Sequence, residues 1–159
     1  MEYPQRKRLR LPQYDYSAAG CYFLTICTKD KVCSLGSVGR ADPGTPWVQL
    51  SPLGELAQHH IQTMESAYEG VTVEKSVVMP NHVHLLLTIH SGAPGSARPT
   101  QNLSRMVAAF KRLTNRAAAE QLWQPSYYDH VVRNEQDFLR IWNYIDTNPA
   151  RWAEDEYYL

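Results

Sequence analysis

The sequence has few cysteines, no long apolar run and no net charge. Its 159 residues include three cysteines, Cys21, Cys27 and Cys33, and no CxxC pair of the kind that binds zinc or exchanges thiols. No apolar run follows the bases near the N-terminus, as a signal peptide requires, and no stretch approaches the length of a membrane span. These absences argue against a secreted or membrane protein and favour a reduced, cytoplasmic location.

Composition and length predict one globular domain over residues 1–159. The chain is 43% hydrophobic and 20% charged, which excludes a disordered chain, a collagen-like chain and a simple coiled coil. Sixteen bases balance sixteen acids, but the charges are unevenly spread. Residues 98–116 hold five bases and no acid, whereas residues 133–159 hold three bases and six acids. We therefore expect surfaces of unlike charge.

The first half of the chain predicts a strand, a loop region and a helix. A basic arm occupies residues 1–12, and the aromatic and β-branched residues 22–28 are typical of a strand. The glycine- and proline-rich residues 36–47 indicate a surface loop or a loose hairpin. The Ser51-Pro52 pair marks a helix start, and apolar residues at three- and four-residue steps continue this helix to near Gly70.

The second half predicts a hairpin followed by two helices. Two β-rich runs flank a turn at residues 79–81. The low-complexity residues 90–101 predict a flexible surface loop, and a helix with a basic polar side begins at Leu103. Another helix is expected from a cap near Asn134 to Pro149. This order of elements predicts an α+β fold, a ferredoxin-like sandwich with a central antiparallel sheet and helices packed on it.

Two histidines on the second strand of the hairpin are candidate metal ligands. Side chains alternate along a strand, so His82 and His84 point to one face, about 6.6 Å apart along the backbone, while Val83 and Leu85 point to the other. Imidazole is a common metal ligand, and two rings on one rigid face are pre-organised for that task. The alternative is a pair of half-exposed histidines without a ligand, which is the more frequent meaning of a bare HxH pattern.

Tyr144 and Asn148 are four residues apart on the last predicted helix and therefore share one side of it. The amide oxygen of Asn148 can complete a coordination set that the histidines begin, and the phenol of Tyr144 lies one turn away as a candidate nucleophile. Because a free phenol titrates at about pH 10, Tyr144 needs a base, a positive neighbour or the metal to shed its proton. The alternative role is packing, since the chain has ten tyrosines.

Several segments read together resemble one known family. The segments VVMPNHVHLLLTI, WQPSYYDHVVRNEQDF and NYIDTNPARW strongly resemble the REP-associated tyrosine transposases, which are relatives of the single-tyrosine transposases of bacterial insertion sequences and members of the HUH endonucleases. The opening segment RKRLRLPQYDYSAAGCYFLTICT is similar too. The likeness covers nearly the whole chain, and the order and spacing of the motifs make it specific.

The resemblance implies a site and an activity. It implies that His82 and His84 bind a divalent cation, that Asn148 is the third ligand and that Tyr144 is the nucleophile. The cation would be Mg²⁺ or Mn²⁺, of which Mn²⁺ suits imidazole ligands better. The substrate would be single-stranded DNA, often folded into a hairpin, which is cleaved and rejoined through a covalent 5′-phosphotyrosine intermediate. Related transposases work as dimers, which makes a homodimer a further expectation.

Bases and aromatic residues supply candidate DNA contacts. The bases either neutralise phosphates, which makes affinity fall steeply with salt, or form ordinary solvated faces. These bases are Arg6, Lys7, Arg8 and Arg10 in the arm, and Arg105, Lys111, Arg112 and Arg116 on the second helix. Trp123, Tyr127 and Tyr128 could stack on unpaired bases, although core packing is expected for at least two of them.

Two other functions are compatible with the sequence. One is a catalytically silent protein that binds DNA hairpins. The other is a metal-dependent hydrolase of another substrate, in which water replaces Tyr144 as the nucleophile. The presence of all four site residues argues against the first alternative, and the basic side of the second helix argues against the other.

Overall fold

The computed structural model describes residues 19–40, 46–90 and 102–154, which form a four-stranded sheet, a two-stranded sheet and four α-helices. The strands are β1 Gly20–Cys27, β2 Gly36–Arg40, β3 Pro46–Leu50, β4 Val71–Val78, β5 His82–Ile89 and β6 Tyr128–Val132. The helices are α1 Pro52–Gln62, α2 Met64–Ala67, α3 Leu103–Ala118 and α4 Glu135–Thr147. The predicted arm 1–12 lies outside the described residues, as does the predicted loop 90–101 apart from His90.

The four-stranded sheet has the order β4-β5-β1-β6, and all neighbouring strands in it are antiparallel. Helix α1 lies in the connection from β1 to β4, and α3 lies in the connection from β5 to β6. Because β5 separates β1 from β4 and β1 separates β5 from β6, the chain forms two interlocked split βαβ units. The predicted ferredoxin-like α+β sandwich is therefore confirmed.

The two faces of this sheet carry different helices. Leu24 and Leu85 point to the face on which α1 and α3 pack, where they belong to the larger apolar core. Phe23 points to the opposite face and packs with Ile141 and Ile145 of α4. The sheet thus separates the layer formed by α1 and α3 from helix α4.

Side-chain caps begin two helices where the sequence predicts them. The Oγ atom of Ser51 accepts a hydrogen bond from the backbone N–H of Gly54 at 3.1 Å, and Oδ1 of Asn134 accepts one from Asp137 at 2.8 Å. The predicted starts of α1 and α4 are therefore confirmed. None of the helices in the described ranges is both long and apolar enough to cross a membrane.

Two elements differ in detail from the first expectation. The helix predicted to continue to near Gly70 is divided, since α1 ends at Gln62 and the short helix α2 follows Thr63. The Thr63 hydroxyl donates to the carbonyl of His60 at 3.2 Å, a local bond of the kind that competes with helical backbone bonding. For residues 36–47 the hairpin alternative is confirmed by the pairing of β2 with β3.

Candidate functional site

His82 and His84 lie on β5 and are fully buried. His84 pairs with Thr25 and His82 with Cys27 in the register between β5 and β1. The two histidines are 0% and 1% exposed, and their ring centroids are 4.6 Å apart. They share the sheet face on which α4 packs, as strand alternation predicts, but they are covered by other residues rather than half-exposed.

Tyr144 lies on α4 next to His84. The two ring centroids are 5.2 Å apart with an interplanar angle of 62°, and the tyrosine ring also meets the ring of Phe23 edge-on at 6.1 Å. Ile141 and Ile145 of the same helix pack against the sheet. These apolar contacts hold α4 in position, so the tyrosine ring lies beside the histidine pair within one chain.

Asn148 caps the C-terminal end of α4, one helical turn beyond Tyr144, and is 2% exposed. Within the described ranges, no donor forms a hydrogen bond of ordinary geometry with its Oδ1 atom. The next residue, Pro149, begins a 3₁₀ helix, Pro149–Glu154, that follows α4. Trp152 of this helix has its indole ring 6.0 Å from the ring of His82.

Burial keeps both imidazoles neutral at neutral pH. Loss of water lowers the pKa of His82 to about 4, although the side chain of Asn148 opposes this shift. Burial, and then the neighbouring His82, lower the pKa of His84 well below its usual value of 6.5. A neutral imidazole has a nitrogen lone pair, so both rings are in the protonation state that binds a cation.

Polar partners lie against the Nδ1 atom of each ring. The Nδ1 atom of His84 is 2.9 Å from Oγ1 of Thr25, and the Nδ1 atom of His82 is 2.8 Å from Oδ1 of Asn81. Both contacts are buried. In metal sites the ligating histidine commonly uses its second nitrogen for such a contact, which makes Nε2 the candidate ligand atom of each ring.

The donor set fits a divalent cation. Among the described residues no three His, Cys, Asp or Glu side chains come together as a metal-binding group, so the third candidate donor is the amide oxygen of Asn148. A buried oxygen without a hydrogen-bond donor is unfavourable, and a bound cation would remove that cost. Two nitrogens and one oxygen suit Mn²⁺ better than Mg²⁺, which prefers oxygen ligands.

A polar cluster connects β6 to the beginning of α4. The Nε2 atom of His130 is 2.7 Å from Oδ2 of Asp137, and Arg140 donates to Oδ1 of the same carboxylate at 2.6 Å. Burial raises the pKa of Asp137, but the hydrogen bonds with His130 and Arg140 outweigh this effect and leave the pKa below its usual value. The cluster therefore anchors the helix that carries Tyr144.

Three of the predicted DNA-binding bases are exposed on α3, on the layer opposite the histidines. Arg105, Arg112 and Arg116 face solvent, while the apolar side of α3 packs on the sheet face opposite α4. A DNA molecule that contacts both these bases and the histidine pair must therefore extend around an edge of the sheet. The bases of the arm, Arg6, Lys7, Arg8 and Arg10, lie outside the described residues.

Lys111 has a structural role that the sequence did not indicate. Its Nζ atom donates to the backbone carbonyls of Gln124 at 2.8 Å and Ser126 at 2.9 Å. It also lies 5.9 Å from the centroid of the Tyr127 ring. The ammonium group thus holds the segment that precedes β6, which distinguishes Lys111 from the three exposed arginines on the same helix.

The three aromatic candidates for base stacking separate into two groups. Trp123 and Tyr127 are 0% and 4% exposed, which confirms the expected core packing of two of them, whereas Tyr128 is 43% exposed. In the strand register Thr25 pairs with both His84 and Tyr128, so these residues form one row on the α4 face of the sheet. With neighbouring strands about 4.8 Å apart, Tyr128 lies roughly 10 Å from His84 along this row.

Three residues around the histidines were not among the candidates that the sequence indicates. Thr25 contacts His84 because β1 pairs with β5 in one particular register, which no local pattern specifies. Trp152 lies beyond the predicted end of the last helix. Asn81 had a usable signal, because it directly precedes His82 in a predicted turn, where asparagine side chains often bond to nearby groups.

Comparisons of sequence and of fold point to the same group of proteins, although no protein-family model matches the chain. The chain is 28% identical to an uncharacterised protein of Haemophilus influenzae over 97% of this chain and 93% of that protein. It is 29% identical to the REP-associated tyrosine transposase of Escherichia coli over 47% of this chain and 42% of that protein. Its fold is similar to that of a solved REP-associated tyrosine transposase bound to a REP hairpin, with a TM-score of 0.65, 21% identity and coverage of 89% of this chain and 73% of that one.

The fold and the site define an α+β protein in which a buried histidine pair on a strand faces a tyrosine on a packed helix. The chain is similar to the REP-associated tyrosine transposases, in sequence over part of its length and in fold over most of it. The resemblance inferred from its motifs is therefore confirmed.

Proposed function

We propose that this protein is a DNA transposase or endonuclease that cleaves and rejoins single-stranded or hairpin DNA, with Tyr144 as its nucleophile. Relatives in sequence and fold carry the name transposase, and one of them was solved with a REP hairpin bound. These likenesses support DNA processing as the class of function. The proposed cleavage by Tyr144 is argued from the side chains of this chain's own site.

The observation that carries the proposal is the convergence of four side chains in one protomer. The ring of Tyr144 is 5.2 Å from that of His84, which is 4.6 Å from that of His82. Asn148 follows one helical turn after Tyr144 and is buried. Because all four residues come from one chain, the proposed chemistry needs no exchange of residues between protomers, and a homodimer stays a separate prediction.

His82, His84 and Asn148 are proposed to hold one Mg²⁺ or Mn²⁺ ion. When bound there, the ion would supply positive charge to offset the negative charge that develops on a scissile phosphate. Tyr144 supplies the attacking oxygen, and its contacts with His84 and Phe23 restrict the orientation of its ring. Restricting the nucleophile before the substrate binds lowers the entropy cost of the reaction.

The proposed step is a transesterification with balanced bonds. The bond between Oη of Tyr144 and phosphorus forms as the bond from phosphorus to the 3′ oxygen breaks. The phenol loses its proton and the departing 3′ oxygen gains one, which leaves a 3′-hydroxyl strand and a 5′-phosphotyrosine. Because the new ester conserves the bond energy of the phosphodiester, another 3′-hydroxyl can reverse the step without ATP.

The test is a denaturing gel of hairpin DNA labelled at its 3′ end and incubated with the protein and Mn²⁺. The wild type should give a slowly migrating adduct that resists denaturation, and Tyr144→Phe should give none. Tyr128→Phe, which removes a hydroxyl from an exposed tyrosine on the same sheet face, should still form the adduct.

Two results would contradict the proposal. Intact DNA that is bound by the wild type in a native gel, with no adduct, indicates a silent hairpin-binding protein. Cleavage without an adduct that persists in Tyr144→Phe indicates hydrolysis by water.

A further inference from the structure

Asn81 occupies the turn between β4 and β5 and is 1% exposed. Its backbone carbonyl accepts hydrogen bonds from the backbone N–H of Thr28 at 2.9 Å and from the Thr28 hydroxyl at 3.1 Å. Its side-chain Nδ2 donates to the carbonyl of Lys31 at 3.3 Å, and its Oδ1 lies 2.8 Å from Nδ1 of His82. The main chain of Asn81 thus anchors the turn, while its side chain connects two separate groups.

The chemistry of these partners determines the state of the His82 ring. The carbonyl of Lys31 can only accept, so the nitrogen of the Asn81 amide faces it and the amide oxygen faces His82. An amide oxygen also only accepts, so Nδ1 of His82 must carry the proton in this contact. In an imidazole that carries its proton at Nδ1, the lone pair is at Nε2, so this contact leaves Nε2 of His82 free to act as a ligand atom.

We propose that Asn81 is a positioning residue that fixes His82 in the tautomer protonated at Nδ1 and thereby makes Nε2 the ligand atom. This positioning role rests on the proposed cation site, because Nε2 can bind an ion only when it carries no proton. His84 differs in this respect. Its partner Thr25 offers a hydroxyl, which can donate or accept and therefore does not determine the tautomer by itself.

Two substitutions separate this role from simple support of the turn. Asn81→Ala removes the side-chain acceptor but keeps the backbone bonds with Thr28. Asn81→Asp restores an acceptor for Nδ1 of His82 and loses the donor to Lys31. If Asn81 acts on the tautomer, the aspartate variant should restore what the alanine variant loses. If its role is instead the hydrogen bond that its Nδ2 donates to the carbonyl of Lys31, both variants should be impaired.

The first measurement is the tautomer of His82 in the metal-free protein at neutral pH, read from the ¹⁵N chemical shifts of histidine rings and assigned with His82→Gln. The wild type and Asn81→Asp should show a proton on Nδ1 and a bare Nε2, and Asn81→Ala should show a mixture of tautomers or a proton on Nε2. A wild type protonated at Nε2, or an Asn81→Ala spectrum identical to that of the wild type, would overturn the inference. If Asn81→Ala does not fold, the wild-type spectrum alone still tests the inference, because it shows whether Nδ1 or Nε2 of His82 carries the proton.

The second measurement is Mn²⁺ affinity, from the signal of free Mn²⁺ in electron paramagnetic resonance. Loss of such a supporting hydrogen bond typically weakens metal binding about 10- to 100-fold, which is the range expected for Asn81→Ala, with recovery in Asn81→Asp. A wild type that has the Nδ1–H tautomer but binds no Mn²⁺ would overturn the proposed function and leave the tautomer assignment standing. An affinity unchanged in Asn81→Ala would overturn the positioning role alone.

Discussion

The ring of Tyr144 lies 5.2 Å from the ring of His84, although one residue belongs to α4 and the other to β5. Phe23 completes this arrangement, with its ring 5.2 Å from that of His84 and 6.1 Å from that of Tyr144. The three rings pack on one another, so the orientation of the tyrosine is set by the folded protein before a substrate binds. Substitutions of residues that border these three rings should therefore reduce activity more than they reduce the free energy of unfolding.

Asn148→Ala should weaken Mn²⁺ binding at least about tenfold, because it removes the proposed oxygen ligand. The free energy of unfolding should change by no more than about 1 kcal/mol, since no hydrogen bond of ordinary geometry reaches Oδ1 of Asn148 within the described ranges. Titration calorimetry with Mn²⁺ checks the first expectation, and urea denaturation checks the second. Asn143→Ala, an exposed asparagine on the same helix, is the matched control and should bind Mn²⁺ normally. Equal affinities of the two variants would contradict the ligand role.

Replacing Arg105, Arg112 and Arg116 together by glutamine should reduce the salt dependence of DNA binding. Each lost phosphate contact lowers the slope of log affinity against log salt concentration by roughly 0.7 to 0.9, so the triple variant should lose about 2 to 3. Fluorescence anisotropy at several salt concentrations measures this slope. Lys29→Gln, which removes an exposed base outside α3, serves as a single-charge control. An unchanged slope in the triple variant would mean that the exposed side of α3 is only solvated.

Tyr128→Ala should weaken binding of DNA with unpaired bases by about 1 to 3 kcal/mol, the usual loss for one stacked base. Tyr128→Trp should keep the affinity, because an indole ring also stacks. The control is Trp47→Ala in the β2–β3 hairpin, because Trp47 and Tyr128 are both 43% exposed. This substitution should leave the DNA affinity unchanged. The assay compares a hairpin that has an unpaired flank with a blunt hairpin. Equal losses on both DNAs would speak against stacking.

The free energy of unfolding should fall as the pH decreases from about 6.5 to about 4. His82 titrates at 6.5 in the unfolded chain but at about 4 in the folded one, so the unfolded state binds more protons in this window. At about 1.4 kcal/mol for each pH unit, His82 alone accounts for roughly 3 kcal/mol. Urea denaturation at pH 7 and pH 4 measures the difference. His82→Gln should reduce this pH dependence, whereas replacement of the exposed His59 by glutamine should not.

Local signals in the sequence were sufficient for much of the fold. Caps at Ser51 and Asn134 and the helical period of apolar residues predicted where α1 and α4 begin. Strand alternation predicted that His82 and His84 share a face. Each of these features depends on a few neighbouring residues, which is why one sequence was enough to predict them.

Features that depend on contacts between distant elements could not be predicted in this way. Periodicity defined the basic side of α3, but it does not state on which sheet face the helix packs, and the structure places the exposed Arg112 on the layer opposite the histidines. The role of Lys111 depends on carbonyls more than ten residues away. The burial of His84 depends on α4, which comes from the other end of the chain.

The most direct test of the central claim is to locate the covalent bond. Protein reacted with hairpin DNA and Mn²⁺ is digested with nuclease and protease, and the peptides are sequenced by tandem mass spectrometry. We expect a nucleotide attached through phosphate to the peptide that contains Tyr144, with the fragment ions assigning it to that residue and not to Tyr128. A nucleotide found on another residue, or an unmodified Tyr144 in protein that has cleaved its DNA, would contradict the account.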